Sequence, residues 1–377
     1  MKYDVAVVGL GGMGSAILAH AAGRGASAIG IEQHQAVHAL GSSHGRSRMI
    51  RKSYFENSAY VPLLRRAYEL WRELERAAAT KIFQATGVLT VGEETREIVA
   101  GTRRASQEHD LPLSVLSRAE VQERYPTVKI LTDEIALFEA DAGVLDPEVA
   151  VQAHLAMARG HGATMEFGVV MTRWEATNQG FNISLGDGRR IAARTLILSL
   201  GPWFKETLRS LDISMTVQRN VQVWFHSATA AYRAPGFPAF LLDRRGLPAP
   251  LYGFPDFGHG VKAAFHGLGA ETNAQDLDRA IDESSDVAPL KRAMEAWMPG
   301  AAKSLRDATA CMYSLTPDEH FVIDRSPHHQ NLILCGGFSG HGFKFVPVVG
   351  EIAAELALNG GTRHEIDFLS ASRFQEQ

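Results

Sequence analysis

The chain opens with a short apolar run, Tyr3-Asp4-Val5-Ala6-Val7-Val8, which passes directly into Gly9-Leu10-Gly11-Gly12-Met13-Gly14 and then into Ser15-Ala16-Ile17-Leu18-Ala19. Strand, glycine turn and helix in that order point to a nucleotide-binding βαβ unit. Gly9 permits the tight turn, Gly11 lets backbone approach a pyrophosphate, Gly14 lets the helix pack on the strand, and the helix N-terminus faces the negative charge. A second strand follows at Ala28-Ile29-Gly30-Ile31, and Glu32 ends it 18 residues after Gly14, where a carboxylate can bind the adenosine ribose hydroxyls. The competing reading, an ordinary buried turn with a surface glutamate, explains each feature singly but not the set. Glu32 would repel a 2′-phosphate, so FAD or NAD is expected and NADP is not.

The 377 residues, 45% hydrophobic and 21% charged, suffice for about two domains at roughly 150 residues each. Lys plus Arg number 38 against 42 Asp plus Glu, a net charge of −4. With no basic cluster interleaved with aromatics, nucleic acid is not an expected partner, because phosphate neutralisation supplies most of such affinity. The most apolar stretch, residues 5–19, is broken by glycines and falls short of the ~20 residues of a membrane span. Asp4 sits where a signal peptide would begin its apolar segment, and Phe374-Gln375-Glu376-Gln377 match no receptor-read address. A cytoplasmic protein acting on a small molecule is expected. The two cysteines, Cys311 and Cys335, lack Cys or His neighbours at metal spacing, so no metal is expected.

From Tyr60 the apolar residues Val61, Leu64, Tyr68, Trp71 and Leu74 recur at helical spacing, with Pro62 in the first turn. Residues 194–201 and 331–337 each read as a buried strand ending in glycine and suit the nucleotide domain. Between them, residues 213–226 and 237–262 show β-type alternation with aromatic and Pro/Gly turns and no crossover helices, which predicts an antiparallel sheet. The polar, acidic run 270–292 is predicted helical and solvated. The fold class is therefore α/β: a Rossmann-like domain (1–83, 145–212 and 315–377) interrupted by an antiparallel-sheet substrate domain (84–144 and 213–314).

Four clusters carry possible chemistry. After Cys335, the loop Gly336-Gly337-Phe338-Ser339-Gly340-His341-Gly342-Phe343-Lys344 feeds a helix predicted over 348–358. Its free N–H groups and the helix dipole suit developing negative charge, such as the N1–C2=O edge of a reduced flavin, unless it is a glycine-rich turn with a solvated lysine. Near the front, residues 41–52 contain His44, Arg46, Arg48, Arg51 and Lys52 among small residues. This is either a solvated basic face or a segment whose buried arginine needs an anion, a substrate carboxylate or the flavin itself. Residues 311–324 begin Cys311-Met312-Tyr313, where a lone cysteine is by default a small core residue. Finally, Tyr252-Gly253-Phe254-Pro255 precedes a strand on which Lys262, Ala264 and His266 share one face, so two bases could line a cavity.

In this order the clusters closely resemble the monomeric sarcosine oxidase and N-methyltryptophan oxidase family of FAD amine oxidases, within the D-amino-acid oxidase superfamily. The resemblance covers almost the whole chain, including residues 41–51, Tyr60-Val61-Pro62-Leu63, Lys81-Ile82-Phe83, Thr86-Gly87-Val88-Leu89 and residues 338–345. It implies FAD held by a thioether from Cys311 to the 8α-methyl, with Cys335 left as a core residue. Arg51 and Lys344 then bind a substrate carboxylate, and Tyr252, His266 and Tyr313 line the amine pocket. Lys262 matches the lysine that activates oxygen, where a fixed positive charge stabilises superoxide, and His44 and Arg48 match charged residues beside the flavin ring.

The implied reaction moves a hydride equivalent from carbon to flavin N5; the imine hydrolyses, and oxygen takes the electrons as hydrogen peroxide. The implied protein is a monomer whose partners are an amino acid and O2. The sequence departs from the family pattern at Arg46, where an acid is common, at Lys52, where histidine is common, and at Leu241, where methionine is expected beside the amine pocket. Phe265 in place of tyrosine is a minor departure. Two rivals remain: a flavin dehydrogenase passing electrons to another acceptor, and a redox sensor without turnover.

Overall fold

A computed structural model describes residues 2–210 and 213–374; the expected boundary at residue 212 and the last three residues of the tail lie outside the described residues. The strand Lys2–Val8 runs parallel between Ala28–Glu32 and Arg190–Leu198. Thr164–Phe167 extends this sheet in parallel on one side, and Leu332–Gly336 pairs in parallel with the end of Arg190–Leu198 on the other. The unbroken apolar run at the N-terminus follows from this central place. Val5 and Val7 pack under the helices Gly12–Gly23, Pro147–Gly160 and Val346–Asn359, while Ala6 and Val8 face a second core with Phe204, Leu208 and Met312.

Two glycines set the turn. Gly9 has φ +88°, and a Cβ there would lie 2.3 Å from the Ser199 carbonyl oxygen; a Cβ on Gly14 would lie 1.7 Å from the Gly9 oxygen. The first helix therefore rests directly on the strand that precedes it, with its N-terminus at the strand's carboxyl end.

The second sheet is built on Ser304–Leu315, which pairs antiparallel along the whole length of Thr216–His226. Beyond it lie Val261–Phe265, Leu251–Phe254 and Ala239–Asp243 in antiparallel succession. The sheet is not antiparallel throughout as expected, because Ala239–Asp243 runs parallel to Val88–Glu93. These two strands come from distant parts of the chain, so no hairpin dictates their relative direction.

The helix expected over 270–292 starts late. Glu271–Thr272 pairs with Thr216–His226, a π-turn occupies Glu283–Val287, and the α-helix runs only from Ala288 to Trp297. Arg219 explains the delay: its guanidinium donates to the Asp278 and Ala280 carbonyls and to Asp286, which consumes acceptors that a helix would need.

Arg48–Ile50 and Phe83–Gln84 pair with Gly143–Leu145 in a small third sheet. The expected helix spans Val61–Ala78, and its Trp71 indole N–H donates to the Lys344 carbonyl at 2.9 Å. Glu351 gathers Arg66, Arg363 and His364, fastening the helix Val346–Asn359 to its surroundings. Among the described residues, no helix is long and apolar enough to cross a membrane.

Gly14→Ala is expected to lower stability by about 3 kcal/mol, the upper range for forcing a methyl into a packed site, visible as a lower urea midpoint. An unchanged midpoint would show that the helix can lift off the strand without cost.

Candidate active site

A cavity of about 430 Å³ starts at Gly9, Gly11 and Glu32 and reaches Tyr252, His266 and Tyr313. At its nucleotide end, a Cβ on Gly11 would meet nothing closer than the Ser43 hydroxyl at 3.7 Å and would project into the open channel. That free backbone edge at a helix N-terminus fits a pyrophosphate. Glu32 ends its strand against the channel, where its carboxylate accepts the N–H groups of Leu10 and His34 at 2.8 and 2.9 Å. Burial pushes its pKa up, and hydrogen bonds from His38, Leu10 and His34 outweigh this and hold it below the usual range. The residues present therefore fit a dinucleotide with free ribose hydroxyls.

The loop before the last long helix forms one wall, with Phe338, Gly340, His341, Gly342, Phe343 and Lys344 all on the cavity. Gly340 is required because a Cβ there would lie 2.4 Å from the Tyr313 ring. The His341 Nε2 donates to the Glu319 carbonyl at 3.0 Å, so Nδ1 is free to accept the Tyr54 hydroxyl. Gly14 and Gly337 do not line the cavity; Gly337 has φ +62°, and its Cα faces Thr316.

Arg51 and Lys344 converge near Tyr54, with the Arg51 Cζ 4.8 Å and the Lys344 Nζ 4.9 Å from its ring centre. A buried arginine needs an anion, and here the chain supplies one. Arg51 donates to both oxygens of Glu56 at 2.9 and 2.8 Å. Burial pushes Glu56 up, but Arg51, His341 and Lys344 prevail and bring it down to about 2. Burial lowers Lys344 to about 7, Glu56 pulls it back and Arg51 lowers it further. Opposite them, Tyr313 links the Tyr252 hydroxyl at 3.4 Å to the His266 Nδ1 at 3.3 Å, and burial lowers the pKa of His266.

Lys262 and His44 stand behind the cavity wall. Lys262 is 2% exposed, donates to the Gly45 and Ser47 carbonyls at 2.7 and 3.0 Å, and lies between the Trp224 and Phe254 rings. Burial, then Arg48, push it well below the ordinary lysine range, so its expected fixed charge is instead conditional on its neighbours. The charge expected of His44 is absent at neutral pH, because burial, Arg48 and Lys262 lower it to about 3. Arg48 remains on the cavity and donates to the Ser42 carbonyl at 2.8 Å. The Cys311 sulfur lies 4.0 Å from that same carbonyl, on the cavity wall, whereas Cys335 is buried in the core under the helices.

A family model described as FAD dependent oxidoreductase matches residues 4–356. The chain belongs to this family. FAD, not NAD, is therefore the nucleotide of the glycine turn. The chain is 40% identical to the monomeric sarcosine oxidase of Streptomyces avermitilis over 98% of this chain and 97% of that one. It is 34% identical to the N-methyl-L-tryptophan oxidase of Salmonella arizonae over 100% of both. Its fold resembles that of NikD, solved as an unusual amino acid oxidase essential for nikkomycin biosynthesis, with a TM-score of 0.87 at 22% identity over 98% and 97% of the chains.

Of the three departures from the family pattern, only Leu241 lines the cavity. The Arg46 side chain is exposed, and Lys52 pairs with Asp141 and covers the Tyr68 ring at 4.8 Å. Sequence reading missed Tyr54, Phe55 and Glu56, which follow Arg51 within five residues; a tyrosine and an acid so close to a candidate carboxylate-binding arginine were the available signal.

An amine-free carboxylate such as methoxyacetate should bind the protonated form of Lys344. Its affinity is expected to be highest below pH 7 and to weaken by about tenfold between pH 7 and 8.5, as that charge is lost. Lys344→Met should flatten the dependence in a spectrophotometric titration. A pH-independent affinity in the parent protein would remove Lys344 from the carboxylate site.

Proposed function

We propose that this chain is a monomeric flavoprotein oxidase of the secondary amine of an N-alkyl or cyclic amino acid, with its FAD attached through Cys311. The supporting observation is that one cavity joins the nucleotide turn to Arg51 and Lys344, with Cys311 on its wall. Bound FAD would accept two electrons with hydrogen from the carbon beside the amine and pass them to oxygen, releasing hydrogen peroxide.

The side chains do the rest. Arg51 and Lys344 hold the carboxylate, and Arg51 must exchange Glu56 for it. Tyr252, His266 and Tyr313 face the amine, and the lowered pKa of His266 keeps an imidazole rather than an imidazolium beside it, which favours the neutral amine that can react. Leu241 and Met49 supply apolar wall for the N-substituent. Water then hydrolyses the imine, so amine, O2 and water yield a shorter amine, a carbonyl compound and peroxide; a cyclic substrate yields one ring-opened product. In this reading residues 1–83, 145–212 and 315–377 form the FAD-binding domain, and 84–144 with 213–314 shape the substrate side while contributing Cys311 to the cofactor.

The test is to precipitate the purified protein with acid and to follow peroxide in air with sarcosine, N-methyltryptophan, pipecolate and proline. A yellow pellet that becomes colourless in Cys311→Ala, together with peroxide from at least one amine, is the expected outcome. Flavin retained through acid by Cys311→Ala would overturn the linkage. Reduction by an amine without reoxidation by oxygen would convert the assignment to a dehydrogenase.

A further inference from the structure

We infer that Glu148 is a positioning residue for Lys262, holding its ammonium charged and in place through the turn Gly45-Arg46-Ser47; this rests on the reading of Lys262 as the oxygen-activating group.

The turn is unusual. Arg46 has φ +65°, and the Ser47 N–H closes back on the Gly45 carbonyl at 2.8 Å, the bond of a strained three-residue γ-turn. Gly45 itself has φ +98°, and a Cβ there would lie 2.1 Å from the Gln222 Oε1 and 3.4 Å from the Lys262 Nζ. Both ends of this backbone are clamped. On one side, Glu148 accepts the Gly45 N–H at 2.7 Å and the Arg46 N–H at 3.2 and 3.1 Å with its two oxygens. On the other, the Gly45 and Ser47 carbonyls receive the Lys262 Nζ.

One peptide unit connects the two sides. The Arg46 N–H and the Gly45 C=O belong to the same amide, so a carboxylate on the N–H polarises the carbonyl that meets the ammonium. Glu148 lies in the first turn of Pro147–Gly160, after the N-cap Asp146, where a negative charge is favoured. The charged groups around Lys262 show why an anion matters. Arg48 and Arg46 come from the turn's own segment, the neutral His44 stands beside them, and Cys311 and Glu148 come from other elements. A cysteine consumed in a thioether carries no charge, which leaves Glu148 as the negative group facing Lys262 across the turn.

The experiment measures the two half-reactions of the holoenzyme separately in Glu148→Gln, Lys262→Met and the double variant. Glu148→Gln is expected to slow reoxidation by oxygen about tenfold, as for a weakened charge-assisted bond, with anaerobic reduction by the amine within about twofold of the parent. In the Lys262→Met background the same change should add nothing further. Equal loss in both half-reactions, unchanged reoxidation, or losses that multiply in the double variant would overturn the inference.

A second readout is independent of turnover. The Nζ signal of Lys262, identified among the nine lysines of a 15N-lysine-labelled protein by its absence in Lys262→Met, should titrate at lower pH in Glu148→Gln. If Lys262→Met reoxidises normally, the oxygen role of Lys262 fails, while this titration still decides whether Glu148 sets its charge. An unmoved titration would overturn the coupling.

Discussion

The contact between the first helix and the first strand at Gly9 and Gly14 governs how the cavity is placed. Because neither position tolerates a Cβ, the helix axis lies close against the sheet and its N-terminus opens at the carboxyl ends of the parallel strands. The channel therefore begins there, and Glu32, at the end of the neighbouring strand, borders it. The helix Val346–Asn359 packs against the same first helix: a Cβ on Gly350 would lie 2.8 Å from Ala16. Through that contact the loop 338–344 is set along the same channel, and Trp71 fixes it by bonding the Lys344 carbonyl.

The far end of the cavity concentrates positive charge in a buried place, and the fold manages it by two different devices. Arg51 and Lys344 face the cavity, and Glu56, paired with Arg51 and attracting the Lys344 charge, is an internal carboxylate. An incoming carboxylate thus exchanges like for like and avoids the full cost of stripping water from an isolated charge. Lys262 has no such direct partner. Two of its donors are met by carbonyls of one turn, and the compensating carboxylate acts from the opposite side of the backbone. On the proposed reading a ligand carboxylate would exchange with the first arrangement, whereas the second is built into the backbone of the chain.

The nucleotide end was legible in the sequence because its constraints are local: turn glycines, a periodic strand and helix, and a carboxylate at a fixed distance along the chain. The long helix from Tyr60 was legible for the same reason. The parallel pairing of Ala239–Asp243 with Val88–Glu93 and the non-helical course of residues 278–280 were not, since each depends on a partner far along the chain, in the second case Arg219. Electrostatic states were the least legible. His44, Lys262 and Lys344 read as cations in the sequence, yet burial lowers the pKa of each, and burial is a property of the folded packing.

The departures from the family pattern acquire different weights for the same reason. Lys52, next in sequence to Arg51 on the charged cavity wall, turns outward to Asp141, with its backbone N–H held by Glu139, while Arg51 turns inward. Arg46 likewise points away: the positive φ that closes the turn on the Gly45 carbonyl sends its side chain over the Trp224 ring, with Cζ 6.0 Å from the ring centre. Its charge still opposes that of Lys262, so an arginine at this position raises the demand on Glu148 without touching the cavity. Leu241 alone meets the space a substrate would fill. Selectivity among amines is therefore expected to follow Leu241 and its apolar neighbours, and the oxygen step to follow the turn at Arg46.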